Sequence, residues 1–228
     1  MITMETIRAR HSVRRYLDRP IEGDTLKGLE GEIARVAAES GLDIRLVLEN
    51  PEAFDVVANF GVIKGCSSCI AFVARGDEDD EAIGYWGQQV VLFAQDLGLN
   101  TCWALLCARK KIKVDVPEGK RVRLVIAVGY GKFPGKPRPT KGLDELCSVE
   151  CGGGDATLPD WFSYAMEAAQ LAPTGMNRQD FHVALLPGNT VRLDARPGGL
   201  RSIDKGIVRR NFEIAANETG ADWRFAND

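Results

Sequence analysis

The sequence has few of the residues and motifs that let a protein do chemistry without a cofactor. It contains only two histidines, His11 and His182, and neither stands with a nucleophile and an acid at the spacing of a hydrolase triad. It has no GxGxxG motif before a helix and no GxxxxGK[ST] motif, which argues against Rossmann and P-loop nucleotide sites. His182 lies in an apolar run and is expected to be structural. We therefore expect a bound cofactor to carry any reaction.

Long apolar runs and an excess of positive charge are also missing. No stretch of 18 apolar residues occurs, so no transmembrane helix is expected, and the first residues, MITMETIRARHSVRR, lack the apolar core of a signal peptide. The net charge of −3 argues against a nucleic-acid partner. The 228 residues, 45% of them hydrophobic, suffice for one large domain or two small ones. We expect a soluble, cytoplasmic protein.

Six cysteines are present, and free thiols are the favoured interpretation because the chain lacks an export signal and has room for a large core. One alternative is a zinc site formed by the pairs Cys66-x2-Cys69 and Cys147-x3-Cys151, and another is a redox dithiol at the first pair. Against both, Cys66 and Cys69 lead into the apolar run at 70–74, where small thiols pack as core residues. We expect no metal site. The other two cysteines are Cys102 and Cys107.

Hydrophobic periodicity predicts an α+β protein with helices packed on mainly antiparallel sheets. Predicted helices cover 26–39, with Asp24 as N-cap and Gly41 as the stop, and then 81–97, 110–116, 160–171 and 203–218. Predicted strands cover 43–48, 68–74, 101–106, 121–130, 181–186, 190–194 and 223–225. The segment 131–159, rich in proline and glycine, is expected to be irregular and to separate two halves, residues 1–145 and 146–228.

The helix predicted at 81–97 is apolar nearly all round, which indicates a central, buried helix. Gly84 and Gly87 lie three residues apart in it and would let another element approach closely. The segments 88–103 and 208–225 share a layout, because each is a helix that runs into a glycine and then into a strand with a tryptophan. This similarity predicts two halves of related layout that pack as one unit.

The segment AAQLAPTGMNRQDF, residues 168–181, has the clearest signs of a binding site. Pro173 ends the preceding helix, because it has no N–H and restricts the residue before it to extended conformations. Thr174 and Gly175 then form a turn with free backbone N–H groups, and Asn177 follows with an amide that can both donate and accept. Binding residues tend to lie on loops of this kind.

Two basic segments are candidates for an anion site. In an extended RHSVR stretch alternate side chains point the same way, so Arg10, Ser12 and Arg14 would converge on one face, a geometry suited to a phosphate. The alternative is a solvated basic arm. The second segment, KPRPTK, carries Lys136 and Arg138 and is held extended by its prolines, so it could reach the same phosphate.

Together these segments resemble the FMN-dependent nitroreductase family. RHSVRRY (10–16) matches the family's Arg-x-Ser-x-Arg/Lys phosphate motif, and EAAQLAPTGMNRQDF (167–181) is close to its APS-x-x-N-x-QPW flavin loop. The rest of the family pattern is matched by three segments: GLNTCW (98–103), VRLVIAVGY and KPRPTKGLDEL. One departure is that the family's QPW is replaced by Gln179-Asp180-Phe181 in this sequence. Because the flavin loop lies in the second half, the chain resembles the branch in which one chain carries both halves of the usual dimer.

The resemblance implies a nitroreductase-like fold and a role for each segment. The first basic segment would hold the FMN phosphate and ribityl chain, and the second would add charge. The loop after Pro173 would cover the flavin, and backbone N–H groups at 104–106 would lie near its N5 edge. Asn59 or Lys64 would supply polar contacts at the ring edge. The implied cofactor-binding residues are Arg10, His11, Ser12, Arg14, Ala104, Leu105, Leu106, Lys136, Arg138, Pro173, Thr174, Gly175 and Asn177.

The resemblance also implies a reaction. An FMN-dependent oxidoreductase would take a hydride from NAD(P)H and pass it to a small electron acceptor of the nitroaromatic or quinone type, with no protein acid or base at first approximation. One alternative is a flavin-binding relative with another reaction, such as flavin destruction or reductive dehalogenation, or with no turnover. Another is a non-enzymatic protein whose groove binds a partner. The fused halves would act as a monomer or a homodimer, with no membrane partner.

Overall fold

The computed structural model describes residues 2–77, 79–150, 157–195 and 201–226. Its helices are α1 (Met4–Ala9), α2 (Gly23–Ser40), α3 (Val56–Asn59), α4 (Asp80–Asp96), α5 (Leu143–Leu146), α6 (Asp160–Gln170) and α7 (Arg201–Glu218). Its strands are β1 (Asp43–Val47), β2 (Ser68–Ala74), β3 (Asn100–Ala104), β4 (Arg121–Gly129), β5 (Cys147–Val149), β6 (Phe181–Leu186), β7 (Thr190–Ala195) and β8 (Arg224–Phe225).

The strands form two four-stranded sheets, which confirms the α+β class. The first sheet has the order β1-β2-β4-β3 and is antiparallel throughout. The second has the order β5-β6-β7-β8, in which only the central β6–β7 hairpin is antiparallel and both outer pairings are parallel. The first sheet uses residues 43–129 and the second 147–225, on either side of the boundary expected near residue 145. The division into two related halves stays a prediction.

One apolar core joins both sheets to the helices. It contains Ile70 and Ile126 from the first sheet, Val183 from the second and Phe212 from α7. The opposite face of the first sheet is covered as well, by a smaller cluster that includes Cys69. All seven residues of β2 are therefore buried, which explains why this strand reads as a continuous apolar run rather than an alternating one.

Helices α4 and α7 cross at two glycines. A Cβ atom on Gly84 would lie 2.0 Å from the backbone oxygen of Ile203, and one on Gly206 would lie 2.0 Å from that of Glu81. Such distances are too short for any side chain, so the two helices meet backbone to backbone. Gly87, one turn further along α4, leaves room for the ring of Trp103. The close approach expected at Gly84 and Gly87 is confirmed, and the contact at Gly84 fixes α7 against α4.

Several predicted boundaries are wrong for local reasons. Helix α2 begins at Gly23 with Glu22 as its N-cap, so Asp24 lies in the first turn, where its charge suits the helix dipole. The helix predicted at 110–116 is a single 3-10 turn at Arg109–Lys111, because β-branched residues and then Pro117 follow. The segment 131–159 is not wholly irregular, since it contains α5 and β5.

No helix in the described part of the chain has the length and apolar content needed to span a membrane.

Candidate functional site

A cavity of about 440 Å³ lies among the segments that the sequence motifs single out. Its wall is formed by the stretch after α1, the end of β3, the basic segment after β4, the loop after α6 and the first turns of α7. All the residues expected to bind the cofactor line it: Arg10, His11, Ser12, Arg14, Ala104, Leu105, Leu106, Lys136, Arg138, Pro173, Thr174, Gly175 and Asn177. The structure thus brings together residues up to 167 positions apart in the chain, from Arg10 to Asn177.

The stretch 10–16 is held against the start of β3 by backbone pairing. The amide of Val13 donates to the carbonyl of Thr101 at 2.9 Å, and Ser12 forms a bridge with the same strand residue. Val13 and Tyr16 are buried in the core. This anchoring leaves Arg10, Ser12 and Arg14 facing the cavity, as the alternation of an extended chain predicts.

Arg10 is the most unusual residue of the site, because it is a buried cation with no anionic partner among the residues that the structure describes. Its side chain is 8% exposed, its Nη2 donates to the carbonyl of Leu171 at 3.2 Å, and its buried Nε has no partner in the described residues. Burial, with a smaller contribution from the positive charge of Arg138, lowers the pKa of the guanidinium to about 10, and Cys102 opposes this shift. Such a group calls for an anionic ligand.

Three further cationic side chains line the cavity, and an anionic ligand would interact favourably with them as well. Arg14, Lys136 and Arg138 line the same cavity, and within the described ranges no carboxylate forms an ion pair with any of them. The basic segment can pass close to the first stretch because Gly135 has a positive φ of 86° and a Cβ atom there would lie 2.6 Å from that of His11. Three cationic side chains and Arg10 therefore surround one space.

The loop after α6 forms the opposite wall. Its turn at Gly175–Asn177 is tight, with Met176 and Asn177 in the left-handed region at φ 52° and 57°. The Asn177 side chain donates to the carbonyl of Pro139 at 2.9 Å, which fastens the loop to the basic segment. The backbone N–H of Gly175 donates to both carboxylate oxygens of Asp204 at 3.0 Å, which fastens it to α7.

The segment that follows β3 supplies the apolar part of the wall. Trp103 packs against Gly87 of α4, and its indole N–H donates to the Gln88 side chain at 3.3 Å, so this end of the strand is rigidly held. Leu105 and Leu106 come next and are 47% and 48% exposed, which is unusual for leucine. We infer that they form part of the rim, where a ligand would cover them.

Asn59, Lys64 and Gln179 do not line the cavity. Asn59 is buried and donates its amide to the carbonyl of Phe54, so it closes a turn, and Lys64 pairs through its backbone with the residues after α1. Neither residue lines the cavity, so the structure gives no support to the expected ring-edge contact, and their neighbours Val62 and Ile63 line the cavity instead. Gln179 is buried and binds backbone groups on both sides, such as the amide of Lys141 at 2.8 Å, so it braces the loop.

Asp204 is a site residue that the sequence did not reveal. An acid in the first turn of a helix is ordinary, so nothing in the local sequence marks it. In the structure it lines the cavity, and burial raises its pKa to about 6. The Gly175 N–H and Arg201 oppose this shift, whereas the charge of Asp180 adds to it. A carboxyl group with a perturbed pKa in a cavity is a candidate functional residue.

The cysteines of the described residues are free thiols. Burial raises the pKa values of Cys66 and Cys69 to about 12, which keeps both protonated at neutral pH. No group of three or more metal-ligating side chains occurs in the part of the chain that the structure describes. Cys151, which belongs to the zinc alternative, lies outside those residues, so that alternative stays untested.

Solved structures of other proteins are similar to this chain over different lengths. A "putative nitroreductase" from Thermotoga maritima is 22% identical, with a TM-score of 0.65 over 96% of this chain and 85% of its own. An FMN complex of a "putative nitroreductase" from Desulfovibrio desulfuricans is 21% identical, with a TM-score of 0.47 over 63% of this chain and 94% of its own. A "putative NADH dehydrogenase/NAD(P)H nitroreductase" from Parabacteroides distasonis is 22% identical, with a TM-score of 0.49 over 63% and 95%.

Family membership rests on a separate comparison. No curated protein matches the chain. A sequence model of the family described as "Putative TM nitroreductase" matches residues 2–216, which is nearly the whole chain and includes both basic segments, the loop after α6 and almost all of α7. The chain belongs to this nitroreductase family.

Proposed function

We propose that the protein is an FMN-dependent oxidoreductase that passes a hydride from NAD(P)H, through the bound flavin, to a small electron acceptor of the nitroaromatic or quinone type. Membership of a nitroreductase family supports the general oxidoreductase role. The cavity supports the choice of cofactor and of the residues that would bind it.

The observation that carries the proposal is the buried guanidinium of Arg10, which has no anionic partner in the described part of the chain. An isolated buried charge destabilises a folded protein, so a buried cation of this kind is expected where a ligand supplies the opposite charge. The unpartnered Nε is a donor available to a phosphate oxygen, and Arg14 and Arg138 add the further charge that a phosphate dianion needs. The cavity volume of about 440 Å³ is within the usual range for cofactor sites. The residues present therefore fit FMN.

Each wall of the cavity would take one part of the cofactor. Arg10, Ser12 and Arg14, with the backbone of His11 and the cations at 136 and 138, would hold the phosphate and ribityl chain. The loop from Pro173 to Asn177 would cover the flavin ring, and backbone N–H groups at 104–106 would face its edge, where they would stabilise negative charge. When bound, the flavin would supply the hydride chemistry.

The chain's own residues would then bind and orient the cofactor and the acceptor and shield both from water. Apolar side chains such as Ile63, Leu124 and Ile207 would exclude water from the reacting space, which strengthens the polar contacts inside it. The exposed Leu105, Leu106 and Met176 at the rim would receive a flat, apolar acceptor.

One chain would be sufficient for one site. The two basic segments come from the first half and the covering loop from the second, and the crossing of α4 and α7 holds these parts together. We therefore propose a pseudo-dimer within one chain that acts as a monomer or pairs again, in the cytoplasm, where NAD(P)H is available.

An absorbance spectrum tests this function. The purified protein should bind FMN, become yellow, and lose its flavin absorbance when NADH or NADPH is added without oxygen; a quinone or nitroaromatic acceptor should then restore it. Consumption of FMN itself under oxygen would instead indicate flavin destruction. A protein that stays colourless with added FMN would refute the proposal, and unchanged behaviour of Arg10→Ala and Asn177→Ala would favour a partner-binding groove.

A further inference from the structure

Asp204 is the one acidic residue in the cavity wall among the parts of the chain that the structure describes. It lies in the first turn of α7, between Ile203 and Ile207, which line the same wall. On the other side it meets the loop that would cover the cofactor, through the 3.0 Å contacts with the Gly175 N–H. The proposed cofactor and this carboxyl group would therefore share one enclosed space.

The surroundings of Asp204 favour its protonated form. The apolar side chains beside it desolvate the carboxylate, and Asp180 on the segment leading into β6 contributes a like charge. Arg201 opposes this effect, but it also lies 3.7 Å from Asp180 and is shared between the two acids. From α4, which packs against α7, Glu81 faces Lys205 and Arg209 rather than Asp204. The pKa is raised to about 6, so the acid and its anion are both populated near neutral pH.

We propose that Asp204 is a catalytic acid that gives its proton to the electron acceptor when the acceptor receives a hydride. The inference rests on the proposed function and deepens it, because it assigns the proton that the acceptor must take up. It favours acceptors that are protonated at oxygen, of which quinones are the simplest class.

The step balances for a quinone. The hydride, which comes from NAD(P)H through the bound cofactor, forms an O–H bond at one carbonyl oxygen. The ring's double bonds shift, and an electron pair is left on the second oxygen. That oxygen takes the proton of Asp204 as the carboxyl O–H bond breaks. The quinone is reduced by two electrons to a hydroquinone, the carboxylate remains, and water returns a proton to it.

The competing explanation is that Asp204 only holds the loop in place through Gly175. Two substitutions separate the explanations. Asp204→Asn keeps an oxygen that accepts the Gly175 N–H but removes the acidic proton, whereas Asp204→Glu keeps the acid on a longer side chain. Asp194→Asn is the matched control, because Asp194 is exposed on β7, pairs with Arg192 and does not line the cavity.

The decisive experiment measures reoxidation of the reduced, FMN-loaded protein by a quinone between pH 5 and 9 in rapid mixing. The wild type and Asp194→Asn should react more slowly as pH rises, by roughly tenfold per pH unit above about pH 6, because only the protonated acid donates. Asp204→Asn should lose this dependence and react at least about tenfold more slowly at pH 5. Asp204→Glu should keep the dependence. Reduction by NAD(P)H should change little in either variant.

A second readout needs no cofactor. The Asp204 carboxyl carbon, followed by NMR in the protein without FMN, should titrate near pH 6. Wild-type pH dependence in Asp204→Asn, or a carboxyl that is fully ionised above pH 5, would overturn the proposal. Loss of FMN binding in both Asp204→Asn and Asp204→Glu would assign the residue to the loop and overturn it too. A wild-type protein that takes up no FMN would instead refute the proposed function itself.

Discussion

Replacing Arg10 with methionine should make the protein without cofactor more stable and make FMN bind less tightly. Methionine keeps an apolar stem of similar length but removes the charge. The two effects have opposite signs because the buried charge of Arg10 destabilises the protein without ligand but stabilises the complex with FMN. A residue that serves only the fold would lose stability when it is replaced, whether or not FMN is present.

The size of the stability effect follows from the pKa of Arg10. Burial lowers that pKa to about 10, and each tenfold loss of proton affinity corresponds to about 1.4 kcal/mol, so the buried charge costs on the order of 3 kcal/mol. Loss of the hydrogen bond to Leu171 opposes the gain by about 1–2 kcal/mol. The net gain is about 1–2 kcal/mol, a rise in Tm of a few degrees for a chain of this length.

Thermal unfolding without and with FMN measures both effects. Without FMN the Arg10→Met variant should unfold at a higher temperature than the wild type. With FMN at 100 times the wild-type Kd, the wild type should gain about 2.7 kcal/mol and overtake the variant. The control is Arg8→Met, two residues earlier, because Arg8 is exposed, pairs with Glu167 and does not line the cavity. A lower Tm for Arg10→Met without FMN, or an unchanged gain from FMN, would refute the reasoning.

Two further predictions concern the framework around the cavity. Gly206→Ala should destabilise the protein by about 3 kcal/mol or more, because the new Cβ atom would meet a backbone oxygen of α4. The control, Gly31→Ala at an open position of α2, should stabilise the protein by about 0.5–1 kcal/mol. Urea unfolding of the two variants measures both changes. Asp80→Asn should lower the free energy of unfolding by about 3 kcal/mol, because it leaves the Arg123 charge without its ion-pair partner. The double variant D80L/R123M, which removes both charges, should be more stable than Asp80→Asn. Equal losses in the two variants would contradict this explanation.

The sequence predicted those elements whose signal is local. Strands β2 and β6 were predicted with the observed bounds, because each is a run of six or seven mostly apolar residues between clear breaks. Strand β5 was missed, since three residues carry no periodicity and its pairing with β6 depends on the tertiary fold. The helix predicted at 110–116 failed because a proline downstream outweighs a short apolar pattern.

The candidate site divides in the same way. The expected cofactor-binding residues all line one cavity, and most of them were found because they carry directed donors or charge in recognisable spacings. Asp204 was missed because its role depends on α7 lying beside the loop after α6, a contact between residues 29 positions apart. The burial of Arg10 was equally invisible, because RHSVR reads the same in a solvated arm as in a phosphate site.

The central claim is that the cations around Arg10 bind the phosphate of a flavin, and comparing FMN with riboflavin tests it most directly. Riboflavin has the same ring but no phosphate, so quenching of flavin fluorescence on titration with the protein isolates the phosphate's share of binding. Two charge-assisted hydrogen bonds of about 1.5–3 kcal/mol each predict that FMN binds at least about 100-fold more tightly than riboflavin. Equal affinity for the two flavins, or no binding of FMN, would contradict the account.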